Sequence, residues 1–290
     1  MSKGIQLCGR VESNNNTGFN LLNSFFYRYT KKILAFTLAE TLIVMGIIGV
    51  VAALTIPNLN SSTGNAEKMA KVKKIYAELN EAQNRAIAVY GPLNAWFIND
   101  GCEANLNCAA ARTRYFDRIT EFMKITKNCG TTGSGCMANN YKFLYGNTDQ
   151  SYDSTSYARG VLSGGWSFSI IEMITQYSTT EFSGYKTNGS AGTIFVDIDG
   201  PNKGKNTWGV DLFWFLVTTD GIYPYGGGTR WTDTGYWNLK QQCFYYGKMC
   251  AAWVINTGNM DYLDASHEES TAGKCNNSDK VLSTTVTSCK

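Results

Sequence analysis

Histidine occurs once in the 290 residues and proline only four times. A single imidazole excludes His-rich metal clusters and leaves little for general-base chemistry. His267 itself lies among Ser266, Glu268 and Glu269, a polar stretch expected to be solvated loop. Gly-x-Ser-x-Gly, the phosphate-binding Gly-x-x-x-x-Gly-Lys loop and His-Glu-x-x-His are all missing, so the signatures of hydrolases, P-loop NTPases and zinc peptidases are missing too. The chain is expected not to be an enzyme. It also lacks a disordered composition, being 43% hydrophobic and 17% charged, and it has no internal repeat.

Excess charge is scarce and badly placed for binding nucleic acid. The chain carries 26 basic and 23 acidic residues, a net +3. Lys3, Arg10, Arg28, Lys31 and Lys32 precede residue 36 against Glu12 alone, which leaves 21 basic (26 less 5) and 22 acidic (23 less 1) beyond it. The basic balance therefore belongs to the N-terminus, and no nucleic-acid partner is expected.

What the chain does have is cysteine, nine in all, with no Cys-x-x-Cys or zinc-type spacing. That number points to an oxidising compartment. Setting Cys8 aside leaves an even set of eight, for which 105 pairings exist. Each neighbouring pair brackets a short polar loop, so the expected bonds are sequential: Cys102 with Cys108, Cys129 with Cys136, Cys243 with Cys250, and Cys275 with Cys289.

It also has one long apolar run. Residues 36–56 follow Lys31 and Lys32 and, as a helix, would extend about 31 Å, close to a bilayer's hydrocarbon thickness. Flanking cations stay on the cytoplasmic side, which sets the rest of the chain across the membrane. Glu40 interrupts the run, and a carboxylate there implies either a cationic partner or a position at the headgroup level near the helix N-terminus.

The stretch from Ala35 through Phe36, Thr37, Leu38, Ala39 and Glu40 to Thr41, Leu42, Ile43 and Val44 resembles the processing site of type IV pilins and type II secretion pseudopilins. The resemblance covers about 30 of the 290 residues. It implies a leader over 1–35, cleavage by a prepilin peptidase between Ala35 and Phe36, and methylation of the new Phe36 amine. Ala35 stands where the family commonly has glycine. Glu40 matches the glutamate that pairs with a neighbouring subunit's terminal amine during assembly, and Pro57 a proline that loosens the helix. The implied partners are other pilin or pseudopilin subunits, the prepilin peptidase, the inner-membrane assembly platform and membrane lipid. The implied location is the bacterial inner membrane, single pass, then a surface fibre or pseudopilus. Pilus, pseudopilus and competence systems remain open, as does a secreted chain cut after residues 51–53.

The expected fold is α+β. A long hydrophobic helical spine over 36–91, kinked at Pro57, carries an antiparallel β-sheet head over 92–290 that is stapled by disulfides. Met69, Val72, Tyr76, Leu79, Ala86 and Val89 recur at helical spacing, and Gly91-Pro92 stops the helix. A short helix is expected over 112–125, and strands over 166–171, 193–198, 212–218 and 253–256. Asp220-Gly221 should close a hairpin onto residues 222–225.

Two candidate sites remain in the head. Asp197, Asp199, Asn202 and Asp211 surround a Gly/Pro/Asn turn and offer oxygen ligands to Ca²⁺; the same residues also serve plain turn chemistry. The aromatic run over 223–237 suits either packing on a sheet edge or a sugar- or partner-binding surface, which would make the chain a membrane-tethered or secreted binding module.

Overall fold

The structure, a computed structural model, describes residues 38–97, 108–177 and 181–290, with only the backbone described over 52–63 and 176–177. The chain divides into two units, Met1–Ala53 and Leu54–Lys290. Helix α1 is Leu38–Tyr90. In the first unit its apolar side chains lie open, from Leu38 at 80% exposure to Val51 at 53%.

Two expectations are corrected here. Among the described residues no helix is long and apolar enough to cross a membrane. The hydrophobic membrane-length spine and the single-pass inner-membrane location therefore do not hold. The described architecture is a mixed α/β fold with a six-stranded antiparallel sheet and three disulfides wholly within the described residues. Pro57, the expected kink, lies in the helical stretch whose side chains are undescribed.

In the second unit α1 becomes amphipathic. Val72, Ile75, Leu79, Ala82 and Ala86 are buried at three- and four-residue steps, the spacing that keeps one face toward a core. Val89, expected on that face, is 62% exposed. Two polar residues on the buried side connect to the sheet's last hairpin, β7 (Leu212–Thr218) and β8 (Gly221–Pro224). The Asn80 amide donates to the Ile222 carbonyl at 3.2 Å and accepts from the Ile222 N–H at 3.0 Å. Gln83 donates to the Thr218 carbonyl at 3.0 Å while accepting from the Tyr115 hydroxyl at 2.8 Å. Both amides thus satisfy backbone groups at a sheet edge that would otherwise be buried unpaired.

The remaining strands are β1 (Ile125–Gly130), β2 (Ala158–Leu162), β3 (Ser167–Tyr177), the small pair β4 (Glu181–Phe182) and β5 (Tyr185–Lys186), and β6 (Gly189–Asp197). The main sheet runs β1-β2-β3-β6-β7-β8, antiparallel throughout. Period two sends Ile194 and Val196 of β6 into the large core beneath α1, and Phe195 into a second cluster with Tyr141, Tyr152 and Trp208. Covered on both faces, β6 is buried at every position from Ser190 to Asp197, and β7 reads as a nearly unbroken apolar run rather than an alternating one.

Helix α2, Ala109–Thr120, starts and ends earlier than expected, and β1 takes over from Ile125. The expected strand over 253–256 is instead α3, Cys250–Thr257, closed by Gly258 in the left-handed conformation at φ 70°. The four residues from Trp253 to Asn256, of which only Trp253 and Val254 are buried, are too few to show a period that separates a strand from a helix, and the Cys243–Cys250 bond ties the first residue of α3 to the preceding turn.

Candidate functional site

Ala35 and Phe36 lie outside the described residues. Glu40 is in the first turn of α1, where the Thr41 hydroxyl donates to the Leu38 carbonyl at 2.9 Å. Leu42, Ile43, Val44, Met45, Ile47 and Ile48 follow at 54–71% exposure. Exposure occurs all around the helix rather than along one stripe, so this segment has the surface of a core element without a core.

The aspartate turn after β6 is built differently from a cation cage. Asp197, fully buried, accepts from the Asp199 N–H at 3.1 Å and the Gly200 N–H at 2.9 Å through one oxygen, and from the Tyr141 hydroxyl at 2.7 Å through the other. Burial pushes its carboxyl up to about 7 against those donors, and the neighbouring Asp211 adds to the rise. Asp211, also fully buried, accepts from Lys68 Nζ at 2.5 Å and from the Lys205 N–H at 2.5 Å. Asp199 pairs with Lys71 Nζ at 2.7 Å, and that hydrogen bond holds the Lys71 ammonium above its ordinary pKa.

Lys68 and Lys71 are three residues apart and therefore neighbours on the face of α1. They meet carboxylates 143 and 128 residues away. Of the residues expected to face Ca²⁺, Asp199 and Asp211 thus face ammonium groups, Asp197 faces a hydroxyl and two backbone N–H groups, and Asn202 is exposed. Among the described residues no three or more His, Cys, Asp or Glu stand together as a metal would require. Nothing in the local sequence of 197–211 signalled the lysines. The helical spacing of Lys68 and Lys71 was visible, but their partners belong to the tertiary fold.

Three of the expected disulfides are present, Cys129–Cys136, Cys243–Cys250 and Cys275–Cys289. Cys108 is disulfide-bonded as well, while Cys102 lies outside the described residues. His267 is half-buried rather than solvated: burial lowers its pKa, and Nδ1 lies 2.8 Å from the Phe244 carbonyl.

Most of the aromatic run packs inward. Tyr225 stacks on Trp214 at 3.8 Å, Tyr223 on Tyr185 at 4.4 Å and Trp231 on Trp253 at 5.8 Å. Only the end of the run opens outward, with Tyr236 at 74% exposure and Trp237 at 38%. Compared with known protein families, with characterised proteins and with solved structures, the chain matches none of them.

Proposed function

We propose that the chain is a non-enzymatic structural subunit of a type IV pilus or type II secretion pseudopilus. On this proposal a prepilin peptidase cuts before Phe36, and the N-terminal part of α1 packs against copies of itself or related subunits. The observation that supports it is the run of exposed apolar side chains on 38–51 with one acid, Glu40, in its first turn. Large contiguous apolar surface is the mark of an interaction face, and burying one such side chain is worth about 1.5–3 kcal/mol. The disulfides fit export to an oxidising compartment.

In an assembled fibre the Glu40 carboxylate meets the Phe36 amine of a neighbouring subunit, in surroundings of low dielectric that strengthen the pair. Glu40→Gln keeps size and loses charge, and Glu40→Leu loses both. Each variant is expected to be exported and processed, with Phe36 as the terminus by mass spectrometry, yet to be depleted from sheared fibres. Full incorporation of Glu40→Leu in cells lacking the parent copy would refute the assembly role. A mature terminus at Leu54 would favour a secreted binding module instead.

A further inference from the structure

A second aromatic surface, in a different part of the head, carries an inference that does not depend on assembly. Residues 143–146 meet a π-helical turn, Lys240–Tyr245, with the Leu144 N–H donating to the Tyr246 carbonyl at 3.2 Å. Phe143 and Tyr145 stack with centroids 5.5 Å apart and planes 4° from parallel. Tyr145 stacks in turn on Tyr245 at 4.4 Å and 8°. Tyr246 stands edge-on to Phe143, Tyr145 and Tyr245 at 5.5, 5.7 and 4.7 Å. The Lys248 ammonium lies 5.0 Å from the Phe143 ring centre. All four rings stay partly open to solvent, so a ligand can still reach them.

Two clefts share Tyr245 and Glu269. One, of about 390 Å³, adds Tyr145, His267 and Glu268. The other, of about 190 Å³, adds Gln241 and Lys240. Glu268 and Glu269 are exposed. The contact of His267 Nδ1 with the Phe244 carbonyl puts the proton on Nδ1 and leaves Nε2 as an acceptor. Flat apolar ring surface is therefore bordered by carboxylates, an imidazole lone pair and a primary amide.

We propose that Tyr145, Tyr245, His267, Glu268 and Glu269 form a carbohydrate-binding subsite that takes one neutral pyranose ring. The C–H face of such a ring lies against the side of the Tyr245 ring turned away from Tyr145, with Tyr145 backing it, and its hydroxyls donate to the carboxylates and the imidazole and accept from Gln241. A nucleic acid fits poorly, because two carboxylates repel its phosphates. An organic cation fits poorly as well. The parallel stack of Tyr145 and Tyr245 forms no box of rings to enclose one.

The test is saturation-transfer NMR on the full chain with methyl pyranosides of glucose, galactose, mannose and N-acetylglucosamine. Tetramethylammonium and a short single-stranded DNA serve as comparisons. Transfer to ring C–H protons of at least one glycoside is expected, with binding about tenfold weaker in Tyr245→Ala. Glu269→Ala, at an exposed position that leaves the fold alone, should also weaken it several-fold, and Tyr236→Ala should not. The proposal is overturned if no glycoside binds, if binding survives both Tyr245→Ala and Glu269→Ala, or if only the cation or the DNA binds.

Discussion

Replacing Lys68 by Met tests whether the lysine–aspartate pair holds α1 in place. The substitution keeps the aliphatic stem and removes the charge, so it separates the ion pair from packing. Asp211 has a side-chain exposure of 0% and Lys68 of 21%. Removing one partner of a buried pair costs about 3–5 kcal/mol, because the other charge stays behind without compensation. Here Asp211 keeps the Lys205 N–H and gains some access to water where Lys68 was, so the expected loss is nearer 2–3 kcal/mol. For a unit of this size that is a fall of about 5–10 °C in melting temperature. Lys74→Met is the control: that side chain is 69% exposed and pairs with Glu78 at 3.6 Å, which is worth no more than about 0.5 kcal/mol. Asp211→Asn completes a double-mutant cycle read by thermal and urea unfolding. The double variant should lose less than the two single losses added together. Equal losses for Lys68→Met and Lys74→Met, or simple additivity around the cycle, would refute the buried-pair account.

The raised Asp197 carboxyl gives a pH dependence of definite sign. Folded Asp197 holds its proton up to about pH 7, whereas in the unfolded chain it releases it near 4. Its contribution is therefore fully present below about pH 4 and is lost as pH rises toward 7, by a few kcal/mol. Urea midpoints should fall between about pH 5 and pH 8, and Asp197→Asn should flatten that difference; an unchanged slope in the variant would assign it to another group. Replacing Cys275 and Cys289 by Ala opens a loop of sequence separation 14 and should cost about 3 kcal/mol by calorimetry. Alkylation of the native, unreduced protein should label none of the six cysteines in the three described bonds. Gly247 sits at φ 89°, and a side chain there would run into the Trp208 carbonyl, so Gly247→Ala should cost more than about 2 kcal/mol.

What the sequence made legible was whatever local chemistry decides. The Leu212–Thr218 strand and the Asp220-Gly221 turn carry their own propensities, and three cysteine pairs bracket their own loops. Residues 253–256 were too few to show a period, and the disulfide that ties the start of their helix to the preceding turn is itself a tertiary constraint. β2, with Arg159 fully buried, was invisible because its charge is neutralised by Asp153 at 2.7 Å, a fact of the fold rather than of the strand. The aspartate turn resembled a metal loop because turn residues and calcium ligands are the same residue types. Its lysine partners lie more than a hundred residues away. The tyrosine stack likewise joins positions about a hundred residues apart.

The double covering of β6 has a consequence for how the strands find their alignment. In a strand with one wet face, a slip of one residue is penalised because apolar side chains would turn to water. In β6 the same slip would exchange Ile194 and Val196 with Phe195 between two dry compartments, and little hydrophobic surface would be lost. Alignment must then come from shape. Gly192 supplies it: a side chain there would meet Met173 Sδ and, at 2.7 Å, the Glu172 carbonyl of the adjoining β3. Moving the strand by one step would put Thr193 or Ala191 into that gap, which admits only a hydrogen. A residue with no side chain thus works as the detent that keeps the centre of the sheet in step.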